Sequence, residues 1–131
     1  MTVQLACLLV GIFLPLTWAG VSVPYRSKQL GSVDLVSPRE QSTKLTDAGA
    51  RVVGAQSNAW EALAIFTVAN FAAFSVGVDP AGNWALACMI WVAARVAHGI
   101  FYIAGQAVLR VLSFVTALGM CVWMFVMAFS V

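Results

Sequence analysis

The chain has 131 residues, of which 62% are hydrophobic and only 9% charged, with a formal net charge of +2. A soluble domain carries roughly 25% charged residues, and a small one has too much surface to hide this much apolar side chain from water. The sequence therefore reads as a single integral membrane domain, and its weak positive charge, without any long basic run, argues against nucleic acid as a partner.

No charged residue occurs before Arg26. A membrane helix needs about 20 apolar residues, so a first span is expected over about residues 2–23, with Pro15 as a kink of the kind membrane helices tolerate. A cleaved signal peptide would want a basic start, which is missing, so an uncleaved span is the better reading. Residues 24–48 form a polar loop holding Arg26, Lys28, Asp34, Arg39, Glu40 and Lys44, with a turn expected after Ser37-Pro38. Thr46 or Asp47 is placed to cap the next helix.

That second helix is expected over about 47–77, its membrane part from about 50. Its first half is mixed, with Arg51, Gln56, Asn58 and Glu61, and its second half is apolar. Val78-Asp79-Pro80-Ala81-Gly82-Asn83 reads as a turn. A third span follows over about 81–104, then a break at Gly105-Gln106, then a fourth over about 107–130. The expected fold is all-α: an integral membrane four-helix bundle. No apolar/polar alternation supports a barrel. Cys7, Cys88 and Cys121 lie far apart in apolar stretches, without metal-ligand spacing, and read as small hydrophobes rather than a metal or redox site.

The loop after the first span carries Arg26, Lys28, Arg39 and Lys44, and the break before the fourth span is followed by Arg110. The opposite side carries only Asp79. Positive-inside bias puts the long loop in the cytoplasm and both termini outside. A short chain without a targeting segment points to a bacterial inner membrane.

Ionisable residues within spans are costly and mark function by default. Arg51, Glu61, Arg95, His98 and Arg110 all fall at the cytoplasmic ends of their helices. Asn58 and Glu61 are three apart, with Arg51 seven before Asn58, so they share a face. Arg95, His98 and Tyr102 form a second stripe. Two polar stripes at one depth can line a cleft. They can equally be structural, with Arg95 paired to Glu61, Asn58 bridging helices, and Arg51 and Arg110 reaching the headgroups.

These motifs, Arg51 followed by Asn58-x-x-Glu61, then Arg95-Val96-Ala97-His98 with Tyr102 and Arg110, resemble the MAPEG family of membrane-associated proteins in eicosanoid and glutathione metabolism. The resemblance covers essentially the whole chain, its specific motifs about residues 51–110. It implies a homotrimer of four-helix subunits, with glutathione as co-substrate bound between neighbours near the cytoplasmic face. It implies that Arg110 stabilises the glutathione thiolate as the catalytic residue. Arg51, Gln56, Asn58, Glu61, Arg95, His98 and Tyr102 are then the glutathione-binding set, and a lipophilic small molecule enters from the bilayer. The implied activity is a glutathione-dependent transferase or peroxidase acting on lipophilic electrophiles or lipid hydroperoxides.

Some positions depart from the family pattern. Gly54 and Ser57 stand where enzymatic members usually carry basic residues, and Val111 where some carry serine. Fewer cations should weaken binding of an anionic tripeptide. The alternative is a non-catalytic helical bundle that binds a lipid or serves as accessory subunit of a membrane complex.

Overall fold

The computed structural model describes residues 1–131. It consists of five helices and no strand: α1 (Thr2–Leu30), α2 (Pro38–Ser42), α3 (Asp47–Ser75), α4 (Asn83–Ile103) and α5 (Ala107–Phe129). Three of these, α1, α4 and α5, are long and apolar enough to cross a membrane, which makes the chain an integral membrane protein. α3 equals α1 in length at 29 residues. Its polar residues, from Arg51 through Glu61 to Asn70, keep its apolarity below theirs.

α1 runs past the expected end of its span, through Pro24 to Leu30. Residues 24–30, expected as loop, are therefore helical. A helix can continue past a proline when side chains downstream hold its next turn. Here Arg26 Nε donates to Ser22 Oγ at 3.2 Å, and Gln29 bonds to Thr46 of α3's approach in both directions. The helix stops at Gly31, whose φ of 83° turns the chain left-handed and returns its N–H to Ser27 O. At 29 residues, α1 and α3 are each about 43 Å long, more than the roughly 30 Å of hydrocarbon. α1, which is apolar enough to cross, therefore has turns to spare outside it.

The expected turn after Ser37 is α2, with Pro38 at its first position, where the missing N–H costs nothing. Thr46 occupies the N-cap of α3, but its side chain makes no capping bond; its N–H and hydroxyl both donate to Gln29 Oε1 instead. The loop is held by two polar side chains. Asp34 Oδ1 accepts the N–H groups of Val36 and Ser37 at 2.8 and 2.9 Å. Gln41 accepts from Asp34 N and Arg26 Nη1 and donates to Ser32 O.

The Ser37 and Val36 N–H groups, aided by the charge of Lys44, hold the Asp34 carboxyl below its ordinary value of 3.8. A depressed carboxyl contributes stability that is fully present above its unfolded value and lost as pH falls through the folded one. Hydrogen exchange at Val36 and Ser37, corrected for intrinsic rate, should therefore lose protection only on acidification below that ordinary value. Protection that persists in Asp34→Ala would show that another contact holds the turn.

The four long helices pack as a bundle, α1 against α3 and α4, and α5 against α3 and α4. Their core lies between α3, α4 and α5. The Phe66 and Trp91 rings stack at 3.8 Å with an interplanar angle of 7°, surrounded by Trp84, Ala87, Cys88, Cys121 and Met124. All three cysteines are free and buried. Asn70 is the one asparagine deep in this core, and its amide is spent: Nδ2 donates to Phe66 O at 2.9 Å, and Oδ1 accepts from Trp84 Nε1 at 3.0 Å and Cys88 Sγ at 3.3 Å. A polar group at this depth must find its partners within the protein.

Candidate functional site

The antiparallel run of the helices brings the C-terminal end of α1, the start of α3, the last turns of α4 and the start of α5 to one end of the bundle. The ionisable residues of the spans collect there, but in three places rather than one.

The first is a cavity of about 110 Å³ between α3, α4 and α5, lined by Asn58, Glu61, Trp91, Arg95, Phe114 and Cys121 among others. Arg95 is buried, with 2% exposure. Its Nη2 donates to Asn58 Oδ1 at 2.7 Å and to Asn58 O at 3.3 Å. The expected structural pairing with Glu61 is not made: the sole ion pair in the chain joins Lys44 to Glu40. Glu61 sits at the mouth of the cavity, exposed and without a hydrogen-bond partner in its own chain.

The second cavity, of about 220 Å³, lies between the start of α3 and the α4–α5 turn. Its lining includes Arg51, Tyr102, Gln106 and Arg110, and contains two guanidinium groups and no carboxylate. Arg51 Nε donates to Ile103 O at 2.9 Å, an arrangement that satisfies a free carbonyl at a helix C-terminus and suits its dipole. The Arg110 guanidinium carbon stands 4.6 Å from the centre of the Tyr102 ring, within cation–π range. His98 lies behind this pair, 3% exposed. Its ring meets Tyr102 edge-on at 5.6 Å and tilts against Phe114 at 6.3 Å. It lines neither cavity, and its Nδ1 is buried without a partner.

Gln56 joins neither group. It faces the third cavity, of about 610 Å³, between α1, the α1–α3 loop and α3, together with Arg26, Arg39, Ser57 and Trp60. Arg26 was not singled out by the sequence, which placed it in a loop. The structure makes it a buried residue, 9% exposed, held by Ser22, by Gln41 and by a 2.6 Å bond from Nη1 to Pro38 O. All its partners are neutral. The usable signal was the Ser22–Arg26 spacing of four, which puts both on one face once the helix is carried past Pro24. Cys121, expected as a small hydrophobe, also walls the first cavity, beside Trp91.

Gly54, one of the departures from the family pattern, has a physical account. A Cβ built on it would lie 2.6 Å from Tyr102 Oη and 2.9 Å from Tyr102 Cζ. The space a side chain at 54 would need is filled by the Tyr102 ring.

Comparison of the sequence with family models gives a match to the MAPEG family over residues 3–130. No curated protein matches, and no solved structure does.

Proposed function

The chain belongs to the MAPEG family, and on that premise we propose that it is a glutathione-dependent transferase or peroxidase acting on lipophilic electrophiles or lipid hydroperoxides. The observation that carries the proposal is the cavity between Arg51 and Arg110, two guanidinium groups facing one space with no carboxylate in its lining. Such a space favours an anion. A tripeptide with two carboxylates and an ionisable thiol meets that demand, and guanidinium is the side chain best shaped to receive carboxylates.

In this reading Arg110 faces the thiol. A free thiol ionises near pH 8.5, and a neighbouring cation brings this toward neutrality. The thiolate attacks an electrophilic carbon to form a thioether, or takes the outer oxygen of a hydroperoxide and releases the alcohol once a proton arrives. A second glutathione then condenses with the resulting sulfenic acid to give the disulfide and water. Arg51 and Tyr102 share that space with Arg110, Asn58 and Glu61 reach the peptide from the neighbouring cavity, Arg95 orients Asn58, and His98 supports Tyr102 from behind.

We further propose that α3 is the fourth span and that three copies assemble as a homotrimer. Glu61 supports this. A carboxylate exposed on a membrane helix is costly, and a neighbouring subunit or a peptide bound beside it would remove that cost. In the trimer, the cavity of Arg26 and Gln56 on one copy would complete the site on the next. The loop side, with its arginines and lysines, faces the cytoplasm. The lipophilic substrate enters from the bilayer.

A second reading, a non-catalytic bundle binding a lipid or a membrane partner, is favoured by one detail: Arg51 has already committed its Nε to Ile103 O. Glutathione titrated into detergent-purified protein, with the oligomer read by native mass spectrometry, separates the two. Saturable binding to a trimer supports the enzyme. No binding at millimolar glutathione, or a stoichiometric co-purifying membrane protein, supports the second reading.

A further inference from the structure

Tyr102 is the residue that connects the groups at this end of the bundle. One face of its ring carries the Arg110 guanidinium at 4.6 Å, and the His98 ring meets it edge-on at 5.6 Å. The phenol end is seated on α3, against Gly54. Four residues and three helices thus meet through one ring.

The seat exists only because residue 54 has no side chain. Its missing Cβ would fall 2.6, 2.9 and 3.1 Å from Tyr102 Oη, Cζ and Cε1. All three atoms lie in the plane of one rigid phenol, so a methyl group at 54 would have to swing the whole side chain. Gly54 sits in the interior of α3, where glycine is less favourable than alanine. It is also only half-buried, and the contact with Tyr102 is the close one it makes.

We infer that Gly54 is a positioning residue: it seats the Tyr102 ring on α3 so that the ring can hold the Arg110 guanidinium at the cavity shared with Arg51. The inference deepens the proposed glutathione chemistry and rests on it for its catalytic meaning, but the geometric claim concerns this chain alone. Arg110 is a long, flexible side chain near the start of α5 with no carboxylate partner. A guanidinium in that position gives up rotamer freedom when ordered. The cation–π contact with the Tyr102 face offsets that cost, and it can do so only with the ring where Gly54 lets it sit.

The test compares the wild type with Gly54→Ala, Tyr102→Ala and the double variant, using two readouts. The first is the rate at which phenylglyoxal modifies Arg110 in the purified protein, followed by peptide mass spectrometry. It needs no glutathione. The second is the pH titration of the thiolate absorbance of bound glutathione. Gly54→Ala should raise Arg110 reactivity several-fold and move the thiol titration to higher pH. Tyr102→Ala should do the same, and the double variant should match Tyr102→Ala alone, because the alanine methyl then has no ring to displace.

A merely structural role for Gly54 would lower the melting temperature without moving the thiol titration. Unchanged Arg110 reactivity in Gly54→Ala overturns the inference. If Gly54→Ala does not fold, Tyr102→Ala decides alone, and unchanged reactivity there overturns it equally. If wild-type protein binds no glutathione, the proposed activity fails, while the phenylglyoxal comparison still tests the seat.

Discussion

Arg110→Ala should abolish the thiolate signal of bound glutathione at neutral pH. If the site brings the thiol from about 8.5 to about 7, half of it is ionised at pH 7; without the cation the ionised share falls to about 3%. The shift is about 1.5 units, or roughly 2 kcal/mol. Turnover with a lipophilic electrophile should fall at least as far if, as proposed, the thiolate is the nucleophile. Arg110→Lys is the informative companion. It keeps the charge but loses the flat guanidinium that lies against Tyr102, and an ammonium is not interchangeable with it at a stacked site. It should recover only part of the signal. Ultraviolet titration of the three proteins across pH 5–10 reads all of this. An Arg110→Ala protein that titrates like the wild type would assign the thiol to another cation, Arg51 being the other one in the cavity lining.

The largest effect on stability is expected from Trp91→Ala. Trp91 is 2% exposed, stacks on Phe66, and forms a wall of the cavity that holds Asn58, Glu61 and Arg95. Truncation of a buried aromatic leaves a cavity and costs about 3–5 kcal/mol in soluble cores. In a bilayer the transfer of apolar surface from water no longer distinguishes packed from separated helices, and what is lost is van der Waals packing. The lower end of that range, about 3 kcal/mol, is therefore the expectation. It should appear as a lower midpoint in thermal or detergent unfolding of the purified protein. Because the vacated space opens into the cavity beside Arg95, glutathione affinity should fall as well. A variant as stable as the wild type would mean that the aromatic stack is incidental to the bundle.

Much of the fold was legible in the chain. Apolar runs of sufficient length, broken by Asp79-Pro80 and Gly105-Gln106, located the helices, because a bilayer demands an uninterrupted apolar stretch that satisfies its own backbone. Helix ends were harder. α1 outlasts its apolar run by a full polar segment, since a helix can leave the hydrocarbon and continue wherever side chains such as Arg26 and Gln29 find partners. α3 shows the converse. It is as long as α1, yet the polar residues that make it interesting leave it without the apolar signal of a span.

Composition and spacing alone show that the chain enters a membrane, which family motifs it carries, and that its ionisable residues gather at one end of the bundle. These follow from composition, from helical spacing and from the order of the motifs, all of which are local. How those residues divide is set by the packing of the helices. Arg95 turns to Asn58 rather than Glu61, His98 is tucked behind Tyr102, and Gln56 points to the opposite side of α3 with the buried Arg26. Helical periodicity states which residues share a face, but not which neighbouring helix that face meets. Gly54 was visible only as a missing cation. That its absent side chain is the seat of Tyr102, 48 positions on, depends on the distance between two helix axes, which packing sets and no local pattern records.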